Sequence, residues 1–308
     1  MKKKLIAVVG PTATGKSDLA VLLAKELNGE VVSADSAQVY RGLDIGSAKV
    51  TFDEMQGIKH HLLDIVGPET DYNIGMFQQD AENAIRDISE RGKLPILCGG
   101  SGLYINSVIN VGYDLTESPS ADKEKRDQWM QLENTKGKGT LHRLLAEKFP
   151  YRAKKIHEND YQRILRALEM TEDIDPEKEN AWESPYDLSI YGLTMDRELL
   201  YQRIELRVDR MFSAGLVDEV RDLLKMGYQV GGNALSALGY KEIIPFLEGA
   251  VSEEEASSQL KKGTRHFAKR QLTWFRRDPR IQWFDVFEDG GIEQIAEKII
   301  SLEKSPIA

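Results

Sequence analysis

Eight consecutive residues, Gly10-Pro11-Thr12-Ala13-Thr14-Gly15-Lys16-Ser17, have the types and spacing needed to hold a polyphosphate. The glycines let successive backbone N–H groups turn inward around phosphate oxygens, and a helix starting there adds its positive end. Lys16 brings a point charge to the terminal phosphates, and the Ser17 hydroxyl is placed to ligate Mg²⁺. A ligand-free glycine turn would need neither Lys16 nor Ser17. A polyphosphate site is therefore expected.

The fate of the phosphate depends on the carboxylates. A kinase or nucleotide hydrolase usually has an apolar strand ending in Asp that organises metal and water. Here the apolar stretch Leu94-Pro95-Ile96-Leu97-Cys98 runs instead into Gly99-Gly100-Ser101-Gly102. The carboxylate follows an earlier apolar stretch, in Asp35-Ser36-Ala37-Gln38-Val39-Tyr40. In a parallel sheet the strand C-termini gather on the edge where ligands bind. Asp35 and Ser101 should thus both lie near the phosphate loop, as a base and a hydroxyl aimed at a substrate beside the diphosphate.

The elements that would position these groups alternate. Residues 5–9, 30–33 and 95–98 read as strands, and 16–27, 77–91 and 102–110 as helices, which implies a parallel α/β sheet. Residues 113–191 change character. Charged helical stretches at 121–133, 139–149 and 161–170 are separated by Pro, Gly and Asn, with no clear strand. The expected organisation is a catalytic core of residues 1–112 and 190–308 with a helical insertion at 113–189. After a strand at 189–193, residues 197–226 read as a long helical region broken near Gly215. Two more helices, a short strand at 281–284 and a C-terminal helix follow.

With 308 residues, 41% hydrophobic and 30% charged, the chain has ordinary globular composition. No apolar run approaches a membrane span. The opening Met1-Lys2-Lys3-Lys4 superficially imitates a signal peptide, but its apolar part is short and leads into the phosphate loop, so it reads as the first strand. The single cysteine, Cys98, excludes an intramolecular disulfide and fits a reducing cytoplasm. It reads as a small core residue rather than a nucleophile.

The net charge of −9 argues against indiscriminate nucleic-acid binding. Yet residues 261–280 hold eight basic residues (Lys261, Lys262, Arg265, Lys269, Arg270, Arg276, Arg277, Arg280) against one acid, Asp278. Such a stripe is either a solvated helix face or an electrostatic footprint for nucleic acid. Interleaved His266, Trp274 and Phe275 favour phosphate contact with nearby stacking.

In these motifs and others, the chain resembles the bacterial tRNA dimethylallyltransferases over nearly its whole length. Besides the phosphate loop, the Asp35–Tyr40 motif and Gly99-Gly100-Ser101-Gly102-Leu103-Tyr104, the matching stretches include Gly42-Leu43-Asp44-Ile45-Gly46-Ser47-Ala48-Lys49 and His60-His61-Leu62-Leu63-Asp64. Further on come Arg163-Ile164-Leu165-Arg166-Ala167-Leu168-Glu169, Arg203-Ile204-Glu205-Leu206-Arg207, Gly239-Tyr240-Lys241-Glu242 and Lys269-Arg270-Gln271-Leu272-Thr273-Trp274-Phe275-Arg276. Singly weak, in this order they are specific.

The resemblance implies a P-loop NTPase-like parallel sheet core with a helical insertion that grips the anticodon stem-loop. The implied reaction moves a dimethylallyl group from its diphosphate to N6 of the adenosine 3′ of the anticodon, in tRNAs reading codons that begin with U. Adenine's exocyclic amine is a poor nucleophile and needs a base as it attacks. By similarity Asp35 is that base, and Ser101 orients the amine or steadies the surroundings of the attacked carbon. Residues 10–17 hold the leaving diphosphate, with Lys16, Mg²⁺ on Ser17, and Arg207, whose neighbour on one helix face is Arg203. Without the resemblance, both arginines would be read as surface ion pairs. The acceptor base must be flipped out of its stack. Analogy places its contacts on Asp35, Ser36, Ala37, Gln38 and Ser101, on Gln162, Arg163, Ile164, Leu165 and Arg166, and on Lys269, Arg270, Gln271, Thr273, Trp274 and Arg276. It adds Arg126 in the insertion. A cytoplasmic monomer is expected, with no membrane partner.

The chain departs from the family pattern at several points. Ser101 and Ser47 stand where Thr is usual, Lys59 and Glu158 where Pro is common, and Thr171-Glu172-Asp173 where Thr-Gly is familiar. These changes bear on acceptor contacts more than on the chemistry. Three rivals remain: a P-loop small-molecule kinase, a transferase that prenylates a free adenine nucleotide, and a binding module with a degenerate nucleotide site. The absent strand-end Asp opposes the first. The insertion and the basic stripe oppose the second, and the complete phosphate loop with Asp35 opposes the third.

Overall fold

The computed structural model describes residues 2–111, 122–170 and 182–305. Three sequence readings fall outside them: the insertion's start at Tyr113, the helix start at Ala121 and the departure at Thr171-Glu172-Asp173.

The chain forms two compact units, one comprising Met1–Ile109 with Ser184–Ala308 and the other Asn110–Glu183. In the first unit β1 (Lys4–Val9) leads through the phosphate loop to α1 (Lys16–Glu26), then β2 (Gly29–Ser33), a one-turn α2 (Phe52–Met55) and β3 (His60–His61). α3 (Ile74–Glu90), β4 (Leu94–Gly99) and α4 (Gly102–Ile109) follow. The second unit holds α5 (Lys123–Lys136), α6 (Thr140–Lys148), α7 (Pro150–Lys155) and α8 (Tyr161–Glu169). The first then resumes with β5 (Asp187–Thr194), α9 (Arg197–Ser213), α10 (Leu216–Lys225), α11 (Ile244–Leu247), α12 (Glu253–Phe275), β6 (Ile281–Asp285) and α13 (Ile292–Lys304).

The six strands make one parallel sheet in the order β3-β2-β4-β1-β5-β6. A parallel sheet is covered on both faces, so its inner strands are apolar throughout rather than alternating. β1 shows this: Leu5 to Val9 are fully buried, with Leu5, Ala7 and Val9 in the core on one face and Ile6 and Val8 in the core on the other. Because β1 pairs with β4 and β4 with β2, the chain segments leaving all three emerge side by side at one edge.

The alternation of strand and helix and the break between α9 and α10 match the sequence reading within a few residues. The short helices α2 and α7 and the strand β3 are absent from that reading. Two residues carry no periodicity, and only the pairing of His60 and His61 with Val31 and Val32 makes them a strand. The insertion has its own small core around Leu141, Leu145, Ile164 and Leu168.

Candidate active site

The phosphate loop leaves β1 and turns through Ala13, which takes the left-handed φ of 66°. Thr14 Oγ1 donates to the Pro11 carbonyl at 2.9 Å and Lys16 Nζ to the same oxygen at 2.6 Å. α1 begins as Leu19 N–H donates to the Gly15 carbonyl, leaving the N–H groups of its first turn for an anion. Burial is the largest influence on Lys16 and lowers its pKa to about 8, with Arg207 lowering it further and Cys98 and Asp35 opposing.

Two cavities open beside this loop. The larger, about 710 Å³, lies between the loop, residues 44–54 and the face of α9 that carries Arg203, Arg207 and Arg210. The smaller, about 90 Å³, reaches Asp35, Gln38, Cys98, Gly99 and Gly100. Lys16, Ser17 and Arg207 line both. Neither Arg207 nor Arg203 forms an ion pair with another described residue, so the surface-pair reading of these arginines fails. Burial works against the charge on Arg207 and lowers its pKa, while Asp35 opposes the shift. An arginine stays charged regardless, and a half-buried, unpaired guanidinium is suited to an anion.

Asp35 follows β2 through Ala34. Its Oδ1 accepts from Ala37 N–H at 2.8 Å and Gln38 N–H at 3.4 Å, an Asx turn that fixes the carboxylate. Its Oδ2 has no hydrogen bond among the described residues. Ser101 N–H donates to the Ala34 carbonyl at 3.4 Å, so the segments after β2 and β4 are tied together. Ser101 opens α4, accepting from Ile105 N–H, and its hydroxyl has no partner among the described residues. It lines neither cavity, but the neighbouring Gly100 lines the smaller.

Cys98 is buried, and burial pushes its thiol up to about 12, in keeping with a core residue rather than a nucleophile. No cluster of three or more His, Cys, Asp or Glu capable of holding a metal occurs among the described residues. A Mg²⁺ here would rest on the exposed Ser17 hydroxyl, with Asp18 one residue on and most coordination left to phosphate oxygens and water, the mode Mg²⁺ favours. The donor set fits that ion.

α12 divides the basic stripe. Lys261 and Arg265 are bound to Asp209 and Glu205 of α9, each at 2.5 Å, and Arg280 is held by Asp278. Lys262, Lys269, Arg270, Arg276 and Arg277 are exposed and have no ion pair among the described residues. Gln271 faces inward and is 6% exposed. Its Nε2 donates to the Gly100 carbonyl at 3.0 Å and its Oε1 accepts from Thr12 N–H at 2.8 Å. Side chains at Gly100 or Gly102 would overlap the Gln271 amide or the Trp274 indole, which accounts for both glycines.

In the insertion, Gln162 and Arg163 are exposed, whereas Ile164 and Leu165 point into that unit's own core. Arg126 and Arg166 both bind the buried Glu169 carboxylate, at 2.6 and 2.9 Å. Ala37 is buried and Ser36 exposed. The structure thus gathers Lys16, Ser17, Asp35, Gln38, Arg207 and Gln271 at one edge of the sheet. It also brings in Lys49, whose place in the Gly42–Lys49 stretch carries no local sign of a role. Lys49 Nζ donates to the Tyr40 carbonyl, Asp44 and Asp64, tying the cavity's wall down.

Comparison with known proteins agrees with this architecture. Residues 38–278 match the family model described as IPP transferase. The chain is 50% identical over 307 residues to a tRNA dimethylallyltransferase of Carboxydothermus hydrogenoformans, covering 98% of this chain and 97% of that one. It is 46% identical to the enzyme of the same name from Alkaliphilus oremlandii, covering 97% of each. Among solved structures it is similar to a tRNA isopentenylpyrophosphate transferase from Bacillus halodurans, with TM-score 0.70, 45% identity and 97% and 96% coverage. It also matches a eukaryotic dimethylallyltransferase acting on tRNA, with TM-score 0.82, 29% identity, and coverage of 99% of this chain and 81% of that one. With its P-loop NTPase-like sheet and interrupting helical unit, the chain belongs to the IPP transferase family.

Proposed function

We propose that this protein transfers a dimethylallyl group from dimethylallyl diphosphate to N6 of the adenosine 3′ of the anticodon, in tRNAs reading U-initial codons. The observation that carries the reading is that Asp35, whose Oδ2 has no hydrogen bond among the described residues, lines the cavity that Lys16, Ser17 and Arg207 also line. A base and an anion site facing one cavity suit displacement of a diphosphate by a nucleophile that must lose a proton.

The diphosphate lies against the loop N–H groups, Lys16 and Arg207. The adenine amine enters beside Asp35, and Ser101, at the start of α4, orients it. Nitrogen attacks C1 of the dimethylallyl group, the C1–O bond breaks, and its electron pair leaves on the diphosphate. Asp35 takes the amine proton, which lets the weakly nucleophilic nitrogen commit. Lys16 and Arg207 neutralise the charge growing on the leaving group. Mg²⁺ held at Ser17 would add further neutralisation of that charge.

The unpaired Lys269, Arg270 and Arg276, with Thr273 and Trp274, form the core unit's RNA-binding surface. Gln162 and Arg163 serve the insertion, residues 113–189, in gripping the anticodon stem-loop, with Arg126 and Arg166 set in place by Glu169. No helix among the described residues is long and apolar enough to cross a membrane. This reading takes a monomer acting on tRNA in the cytoplasm as the working unit.

The test is a transfer assay with Mg²⁺, dimethylallyl diphosphate and unmodified tRNA, with AMP and ATP-only controls, reading nucleosides by mass spectrometry. Prenylated adenosine from tRNA alone is expected. Product from AMP would move the protein to nucleotide prenylation, and ATP consumption without product would make it a nucleotide hydrolase or kinase.

A further inference from the structure

The wall of the donor cavity opposite α9 is not a regular element. Residues 43–49 form a loop, and Asp44, Ile45, Ala48 and Lys49 from it face the larger cavity, while Ser47 and Ala48 face the smaller. Irregular backbone holds a fixed shape only if its N–H groups find partners. Those partners come from far along the chain. Glu219 of α10 accepts Asp44 N–H at 3.2 Å and Ile45 N–H at 2.7 Å on Oε2, and Gly46 N–H at 3.0 Å on Oε1. Tyr240 donates its hydroxyl to Glu219 Oε1 at 2.9 Å and accepts Ser47 N–H at 3.0 Å. Four consecutive backbone donors thus end on one carboxylate and one phenol.

The fit is close. A Cβ on Gly46 would lie 2.6 Å from the Tyr240 ring, and Tyr240 itself is fully buried. Burial and the adjacent Glu219 carboxylate raise the Tyr240 pKa, so the phenol stays a donor. The loop passes this order on. Gln38 Nε2 donates to the Ser47 and Ala48 carbonyls, each at 3.4 Å, and Gln38 Oε1 accepts from Ser33 Oγ at 3.1 Å. Gln38 N–H in turn binds Asp35 Oδ1.

We propose that Glu219 and Tyr240 are positioning residues of the transfer reaction, clamping residues 44–47 so that the cavity keeps the shape its diphosphate donor needs. They act through the loop, without touching the donor. The proposal rests on the donor reading of this cavity. It distinguishes the pair from core side chains, because each spends its polar atoms on cavity-wall backbone.

The test compares Tyr240→Phe and Glu219→Gln with the parent protein. Tyr240→Phe keeps the ring on Gly46 and removes only the hydroxyl. Glu219→Gln keeps the shape but turns an amide donor toward backbone donors. The measurements are donor KM and kcat with saturating tRNA, inorganic diphosphate binding by calorimetry, and thermal midpoint. Each variant should raise donor KM and diphosphate Kd by about fivefold or more, the effect of one or two hydrogen bonds. tRNA Kd should stay unchanged. The double variant should be little worse than the worse single, since both act on one loop. A lowered midpoint with donor KM and diphosphate Kd unchanged would make the pair merely structural and overturn the proposal, as would a change confined to tRNA binding. If the parent protein itself bound no diphosphate and transferred no prenyl group, the functional reading would fall, and the clamp with it.

Discussion

Gln271 on α12 accepts the backbone N–H of Thr12 at 2.8 Å, 259 residues earlier in the chain. The same amide donates to the Gly100 carbonyl, so one side chain from the basic helix joins the phosphate loop to the loop that carries Ser101. Gln271→Leu would leave a largely buried donor and acceptor unmatched, at about 1–3 kcal/mol for each. A lower urea midpoint together with a raised donor KM is the expected outcome. An unchanged KM in a folded variant would mean that the bridge does not shape the phosphate loop.

Asp35→Asn should keep diphosphate and tRNA binding and lose about 10²–10⁴ in the rate of the chemical step, the usual contribution of a positioned general base. The Asn oxygen can still accept from Ala37 and Gln38, so the turn survives and only the proton acceptor is lost. Single-turnover kinetics at saturating substrates measure the step directly. Near-normal turnover would remove Asp35 from the base role.

The division of α12 yields a prediction with an internal control. Lys269→Ala with Arg276→Ala removes two unpaired charges. It should weaken tRNA binding and reduce the slope of log K against log salt by about 1.5. Lys261→Ala with Arg265→Ala removes charges already neutralised by Asp209 and Glu205 and should leave that slope nearly as it was. Equal slopes for both double variants would assign the RNA surface elsewhere.

Donor affinity should depend on pH through Lys16. Its pKa falls to about 8 because burial disfavours the ammonium, so the free protein loses this charge as pH rises through that value. Binding of diphosphate should therefore weaken above pH 8 and take up a proton there. For stability the sign is opposite. Below pH 8 the folded state carries a buried charge, and between about 8 and the ordinary lysine range the unfolded chain binds more protons, so unfolding free energy rises with pH in that window. Calorimetry of diphosphate binding in two buffers of different ionisation enthalpy checks the proton uptake. Binding flat from pH 7 to 9.5 would contradict the shift.

How much of this was legible in the sequence varied with the range over which a residue acts. The phosphate loop, Asp35 and Ser101 could be read because each sits directly after an apolar strand, and a parallel sheet brings such positions to one edge. Arg207 was reached only through family resemblance, since an arginine on a charged helix has no local mark. Gln271 was read as a contact for RNA, but its hydrogen bonds go to Thr12 and Gly100. Glu219 carries no mark in the sequence. Nothing within several residues of it signals that its carboxylate would close a loop 173 to 175 residues away. Arg126 and Arg166 look like free cations in sequence and share one buried carboxylate in the fold. Charge counting misses pairs that tertiary structure makes.

The two sides of α12 should also differ in the substitutions they tolerate. Ala256, Leu260, Thr264, Ala268, Gln271 and Phe275 are buried, whereas Lys269, Arg270, Thr273 and Arg276 face solvent. Single substitutions at the solvent-facing positions should each come at little cost to folding. Gln271 lies between them in the chain yet belongs to the buried side, because its amide ties Thr12 of the phosphate loop to Gly100. On the proposed reading, one helix thus carries acceptor contacts on one side and a support of the donor site on the other.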